Sequence, residues 1–277
     1  TLTNALVGEK IAIVSNKPQT TRNRICAVVN REGCQFVFLD TPGLHKARTR
    51  LGDYMVKVVK ESVADVDAVL LLVEPIPHIG GPEAELIRRI KELNVPAVLV
   101  INKIDTVEKE ELLSVMQVYG AAHDFAAIVP ISAKRNEGVD ELLGLLAQFL
   151  PEGPQLFPED MVTDQPERQV CAEIIREKLL LCLDKEIPHG TAVEITTFSE
   201  RDDGIIDLDA TIYCEKASHK GIIIGKGGAM LKKISTLART DIEAFMGTKV
   251  FLQTWVKVKE NWRDNMNLIK NFGYRDE

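Results

Sequence analysis

The apolar run Val95-Pro96-Ala97-Val98-Leu99-Val100-Ile101 ends in the polar tetrad Asn102-Lys103-Ile104-Asp105 and constrains the fold more than any other stretch. A short β-branched run without polar alternation predicts a strand buried on both faces, hence a parallel sheet with helices on each side. In open α/β sheets ligands gather outside the carboxyl ends of the strands, where this tetrad falls. Its residue types suit one base. The Asp105 carboxylate can accept two hydrogen bonds, from N1–H and the 2-amino group of guanine, which adenine does not offer. The Lys103 stem can lie over the base, and Asn102 can tie neighbouring loops together. Alone, the tetrad also reads as a polar turn after a strand.

The surrounding pattern decides between these readings. A helix over Thr1–Leu6 ends at Gly8, and strands over Ile25–Asn30 and Gln35–Leu39 flank the turn Glu32-Gly33 as a hairpin. Helices are predicted over Gly52–Ala64, Pro82–Leu93, Lys109–Tyr119 and Val139–Leu150, with strands over Val66–Val73 and Ala126–Ile131. Alternating strands and helices imply right-handed crossovers and a parallel sheet. Three polar clusters, at 40–43, 102–105 and 132–134, each follow a strand, so all fall on one edge of that sheet.

Asp40-Thr41-Pro42-Gly43 places an acidic residue where it can hold a magnesium-bound water. Its glycine exposes an N–H that can sense a terminal phosphate. Thr20 and Thr21, in the polar loop Pro18–Arg22, offer hydroxyls that could complete a magnesium shell when a γ-phosphate is present. Ser132-Ala133-Lys134 could give a backbone N–H to guanine O6. The candidates are therefore Asp40, Asn102, Lys103, Asp105, Ser132, Ala133 and Lys134 for the nucleotide, Thr20, Thr21 and Asp40 for the metal, and Gly43 with Thr20 and Thr21 for hydrolysis.

A proline-rich connector, Pro151 to Pro166, precedes a change of pattern. A long helix is expected over Arg168–Glu186, strands over Thr191–Phe198, Ile205–Cys214 and Lys249–Lys257, a helix over Ala229–Met246 and a last helix over Asn261–Phe272. Between them Gly221 to Gly228 reads as a glycine-rich turn. The segment Ile224-Gly225-Lys226-Gly227-Gly228 resembles the Gly-x-x-Gly loop of KH domains, whose glycines let single-stranded nucleic acid approach the backbone at a helix N-terminus. Net charge is −7, which does not announce a nucleic-acid binder, yet from Lys216 to Arg239 every Lys, Arg, Asp or Glu is basic. Lys220, Lys226, Lys232 and Lys233 are thus candidate RNA contacts with Ile224 and the loop glycines, although a solvated helix face would look similar. Trp255 and Trp262 read as packing residues, with base stacking as the alternative.

Five scattered cysteines without a Cys-x-x-Cys pair argue against a metal site or a disulfide framework. Reduced thiols in a cytoplasmic protein are expected. No apolar run approaches the length of a membrane span.

In this order and spacing the motifs resemble the translation-factor class of GTPases, and with the second half they are similar to the Era-like ribosome-assembly GTPases. The resemblance implies an α/β P-loop GTPase domain over 1–155, a linker over 156–165 and an α+β type II KH domain over 166–277. It further implies GTP or GDP with Mg2+ as cofactors, and small-subunit (16S) ribosomal RNA and the 30S subunit as partners. The implied state is a cytoplasmic monomer with weak peripheral association at the inner membrane face. Two departures stand out. Such domains open with a strand and Gly-x-x-x-x-Gly-Lys-Ser, whose N–H groups and lysine cradle the phosphates. That motif is absent here, so the expectation is a segment of a longer protein, without its first strand and inactive as given. Leu44 stands where Ras-like enzymes carry a water-orienting glutamine, which implies slow hydrolysis. The rival readings are an RNA-binding module without nucleotide activity and another ribosome-associated GTPase.

Overall fold

The computed structural model describes residues 1–44, 47–62 and 66–274. The chain forms two compact units. The first comprises Thr1–Glu9, Ile25–Asp40 and Val59–Thr163, and the second Lys10–Arg24, Thr41–Val58 and Asp164–Glu277.

In the first unit, helix α1 (Leu2–Val7) stops at Gly8, whose left-handed φ of 84° lets its N–H return to the Asn4 carbonyl. Strands β1 (Ile25–Arg31) and β2 (Cys34–Asp40) form the expected antiparallel hairpin. Strands β3 (Val69–Val73), β4 (Ala97–Ile101) and β5 (Ala127–Pro130) form a parallel sheet in that order. Among the described residues the hairpin and this sheet are hydrogen-bonded separately. Helix α2 (Arg50–Ser62) begins before the expected Gly52, and the expected end at Ala64 lies outside the described residues. Helices α3 (Gly81–Leu93) and α4 (Lys109–Ala122) supply the two crossovers, and α5 (Val139–Leu146) follows β5.

Strand β4 is buried on both faces, as its composition requires. Val98 and Val100 meet Leu2 and Leu6 of α1 and Leu142, Leu143 and Leu146 of α5. Leu99 and Ile101 meet Ile87 and Ile90 of α3 and Val115 and Tyr119 of α4. All four strand residues are fully buried, each contributing roughly 1.5–3 kcal/mol of burial.

In the second unit, helix α6 (Glu167–Cys182) packs with β6 (Ala192–Glu200), β7 (Ile206–Cys214) and β8 (Val250–Val258). β6 pairs antiparallel with β7 and β7 parallel with β8, which leaves β8 at an edge. Helices α7 (Ala217–Ile224) and α8 (Ala229–Met246) flank a short 3-10 turn, Lys226–Gly228. Ile234, Ala238 and Ile242, four residues apart on α8, join Ile175 and Leu179 of α6 and Leu208 and Ile212 of β7 in the core. The other sheet face packs Ala192 and Tyr213 against Trp262, Phe272 and Tyr274 and against Leu51, Tyr54 and Met55 of α2.

Several expectations need correction. Gly221 to Ile224 is the last turn of helix α7 rather than the start of a loop, because Ile223 is fully buried and tertiary packing overrides the glycine. The long helix ends at Cys182 rather than Glu186, its last turns giving way to a loop in which Lys185 takes a left-handed φ of 56°. The terminal helix is two pieces, a 3-10 turn over Trp262–Asp264 and α9 (Met266–Asn271), whose Asn265 side chain caps the Asn267 and Leu268 N–H groups. Trp262 is a packing residue, fully buried with its indole N–H on the Gly190 carbonyl at 2.9 Å. Trp255 is not. It is 44% exposed, because strand alternation puts it on the outer side of an edge strand.

Candidate nucleotide and RNA sites

Asn102 leaves the end of β4 with its N–H on the Val73 carbonyl at 2.9 Å, which fixes the tetrad to the neighbouring strand. Its Oδ1 accepts from the Lys103 N–H at 2.8 Å and the Ala133 N–H at 3.0 Å, so one side chain joins the loops after β4 and β5. Asp105 Oδ1 accepts the Ser132 hydroxyl at 2.7 Å. That bond, foremost, holds the carboxyl below its ordinary range, with Arg135 and Lys134 adding positive charge, so the acceptor is ionised at neutral pH. Lys103 occupies the left-handed region at φ 66°, uncommon for a side-chain-bearing residue. Its carbonyl is pinned by the Thr106 hydroxyl at 2.7 Å and N–H at 3.0 Å, and its ammonium pairs with Glu74.

The Ser132–Lys134 loop is closed by a two-way bond between Ser132 and Glu137, at 3.0 and 3.1 Å. Gly138 then turns the chain at φ 76°, and a Cβ there would sit 2.8 Å from the Pro130 carbonyl. Since the Ala133 N–H serves Asn102, the Lys134 N–H is the donor of the triplet with no protein acceptor among the described residues. The structure thus brings together Asn102, Lys103, Asp105, Ser132, Ala133 and Lys134. Ser132's service to Asp105 and Gly138's to the loop are roles the sequence reading missed.

At the end of β2, Asp40 Oδ2 accepts the Thr3 hydroxyl at 2.6 Å. Among the described residues no cluster of three His, Cys, Asp or Glu could cage a metal. A carboxylate beside the Thr3 hydroxyl fits Mg2+, which keeps waters and shares phosphate oxygens rather than needing an all-protein cage.

Thr20, Thr21 and Gly43 belong to the second unit, Asp40 to the first. The Thr20 hydroxyl donates to the Lys17 carbonyl at 2.7 Å and lies 2.7 Å from the Ser15 hydroxyl, while its carbonyl accepts from Arg176. Segment 10–24 is held by charges the sequence did not expose as important. Arg22, 1% exposed, donates to the carbonyls of Thr191 and His189 at 2.7 and 2.8 Å and to the Tyr274 hydroxyl at 3.2 Å. Lys10 bridges Glu177 of α6 and Asp241 of α8 at 2.7 and 2.6 Å, and Lys178 contacts the same two carboxylates.

The glycine loop lies between α7 and α8. Gly225 has φ 73° and ψ 175°, and a Cβ there would meet the Met230 Cβ at 2.7 Å and N–H nitrogen at 2.9 Å. Gly227 and Gly228 are also left-handed, at 58° and 81°, so the turn that starts α8 needs its glycines. Lys220, Lys226, Lys232 and Lys233 are exposed around it, and Ile224 is half-buried against the core.

A family model described as 50S ribosome-binding GTPase matches residues 1–103, and one described as KH domain matches residues 186–263. GTPase Era of Ruminiclostridium cellulolyticum is 52% identical over 275 residues, covering 99% of this chain and 92% of that protein. GTPase Era of Clostridium kluyveri is 50% identical over 275 residues, covering 99% and 94%. Among solved structures, Aquifex aeolicus Era bound to GDP·AlF4− aligns with a TM-score of 0.95 at 37% identity over 99% of this chain and 94% of its own. An Era structure in complex with MgGDPNP and nucleotides 1506–1542 of 16S ribosomal RNA aligns with the same TM-score, identity and coverage. With half of its residues shared over nearly its whole length, and with both a GTPase and a KH region, the chain belongs to the Era family of GTPases.

Proposed function

We propose that this protein hydrolyses GTP and binds the 3′ region of small-subunit ribosomal RNA during ribosome assembly. The observation that carries the nucleotide half is the Asn102–Asp105 and Ser132–Lys134 lattice, which presents an ionised carboxylate and a backbone N–H on one surface. Asp105 would accept N1–H and the 2-amino group of guanine, the Lys134 end of the triplet would donate to O6, and the Lys103 stem would cover the ring. Asp40 would hold Mg2+ through water, with Thr20 and Thr21 as the hydroxyls and Gly43 as the N–H that respond to the terminal phosphate. Mg2+ supplies neutralisation of phosphate charge. Leu44 cannot orient a water, so hydrolysis is slow unless another group does so.

Domains at 1–155 and 166–277, joined by 156–165, are our reading of the division of labour. A polypeptide of these 277 residues alone holds no Gly-x-x-x-x-Gly-Lys-Ser, and we expect it to retain Mg-GTP weakly. The RNA half rests on the glycine loop and its lysines. A monomeric, cytoplasmic protein with weak membrane association rests on family resemblance alone; among the described residues no helix is long and apolar enough to cross a membrane.

Titrating fluorescent GDP with GTP and ATP as competitors tests the nucleotide half. Displacement by GTP and not by ATP supports it, and equal displacement by both overturns it. Reversing the loop charge with Lys226→Asp and Gly227→Asp tests the RNA half, which fails if single-stranded RNA binds undiminished.

A further inference from the structure

The outer side of edge strand β8 carries Phe251, Gln253, Trp255 and Lys257, all exposed, with Phe251 48% and Trp255 44% accessible. The same parity continues beyond the strand at both ends, to Lys249 and Lys259, also exposed. The Lys259 N–H extends the ladder to the Cys214 carbonyl at 2.8 Å, so the stripe arrives beside Lys216, which opens α7. One turn on is Lys220, bonded through its N–H to the Lys216 carbonyl at 3.1 Å, and α7 ends at Gly225. A lysine track, Lys220 and Lys216 on one segment and Lys259 and Lys257 on the other, therefore meets at the Lys259–Cys214 bond, with Glu215 paired to Arg263 and Glu260 exposed beside Lys259.

We propose that Trp255 and Phe251, with this lysine track, form a second single-stranded RNA platform on the sheet's outer face, extending the footprint beyond the glycine loop. The proposal rests on the RNA-binding reading above. Alternating basic and aromatic side chains are what a sequence-tolerant single-strand surface needs: lysines follow the phosphates, and rings stack on bases. On an extended strand the two rings stand about 13 Å apart, far enough to take separate bases. β8 itself bears no acidic residue. Of the acids on neighbouring strands, Asp207 is neutralised by Arg201 at 2.5 Å and Glu194 accepts the Tyr213 hydroxyl at 2.7 Å; Asp209 faces Gln253 across the ladder. The same Arg201 guanidinium lies over the Phe251 ring at 5.3 Å, a cation–π contact that holds the ring in place. The exposed Phe251 and Trp255 rings, set among lysines, favour an RNA occupant, whose bases stack on them, over an acidic protein surface, which needs the charge alone.

The test uses the full chain and labelled single-stranded oligouridylates of two lengths, about 5 nucleotides, near the span a KH loop clamps, and about 20. Trp255→Ala should weaken the longer RNA roughly tenfold and leave the shorter unchanged, with Phe251→Ala adding to it. Lys257→Gln with Lys259→Gln should lower the salt dependence of the longer RNA by about one to two charges. In the unmodified protein, only the longer RNA should quench Trp255, since Trp262 is buried. Unchanged affinity for the longer RNA, equal weakening of both lengths, absent quenching, or self-association through this face with RNA binding intact would each overturn the platform. Undiminished binding of both RNAs by the Lys226→Asp, Gly227→Asp variant would instead overturn the RNA reading beneath it.

Discussion

The Ser132 hydroxyl bonds Asp105 Oδ1 at 2.7 Å, so the residue that would read the base is oriented by the loop that would read its carbonyl. Asp105→Asn keeps a carbonyl for Ser132 but loses the charge and one acceptor. Guanine nucleotides should bind roughly 10- to 150-fold more weakly, the cost of a charge-assisted bond. Competition with xanthine nucleotides checks this; the substitution should favour them, since their 2-oxo group matches the amide.

Gly138→Ala pushes a methyl against the Pro130 carbonyl at 2.8 Å and Ile131 Cγ2 at 3.1 Å in a left-handed conformation. A cost of about 1–3 kcal/mol follows. Guanine affinity should fall along with the melting temperature, because the strain enters at the Ser132–Glu137 bridge. An unchanged melting curve would contradict the tight packing described.

Glu177 and Asp241 carry a pH signature. Burial pushes both carboxyls upward, yet the Lys10 and Lys178 bonds outweigh it and hold them below their ordinary values of 4.5 and 3.8. Burial lowers Lys178, and the same carboxylates more than restore it, above 10.5. The carboxylates' contribution is complete above those ordinary values and fades as pH falls through the depressed folded ones. The ammonium's is complete below 10.5 and fades as pH rises through its raised folded value. Glu177→Gln should lower stability by about 1–3 kcal/mol at neutral pH. Its melting curve should converge with that of the unmodified protein in acid.

Trp262→Phe keeps most of the buried ring but strands the Gly190 carbonyl that accepted the indole N–H at 2.9 Å. About 1–3 kcal/mol should be lost, and the remaining tryptophan emission should come from exposed Trp255 alone, red-shifted relative to the unmodified protein.

Where structure followed local sequence, it was legible. β4 announced itself because five apolar residues in a row leave no face for water, and α8 because Ile234, Ala238 and Ile242 repeat at helical spacing. Helix α7 was hidden because Gly221 and three consecutive isoleucines disfavour a helix locally, and burial of Ile223 supplies what propensity lacks. Arg22 was least legible. Its loop, Pro18-Gln19-Thr20-Thr21-Arg22, reads as solvated, whereas its acceptors come from His189, Thr191 and Tyr274, far along the chain. No periodicity encodes such a partnership. The candidate base site was readable in residue type, since its motifs end strands, but Ser132's hold on Asp105 depends on two loops meeting.

The attachment of segment 10–24 to the Arg22, Lys10 and Arg176 anchors has a consequence for engineering chimeras. A hybrid that exchanged the C-terminal half of two relatives at residue 155 would move Glu177, Thr191, Asp241 and Tyr274 while leaving behind the loop that grips them. The recipient would inherit a mismatched graft with Arg22 buried against foreign acceptors. Transplanting the half intact would require carrying residues 10–24 and 41–58 along with it, so the heritable module is discontinuous in sequence.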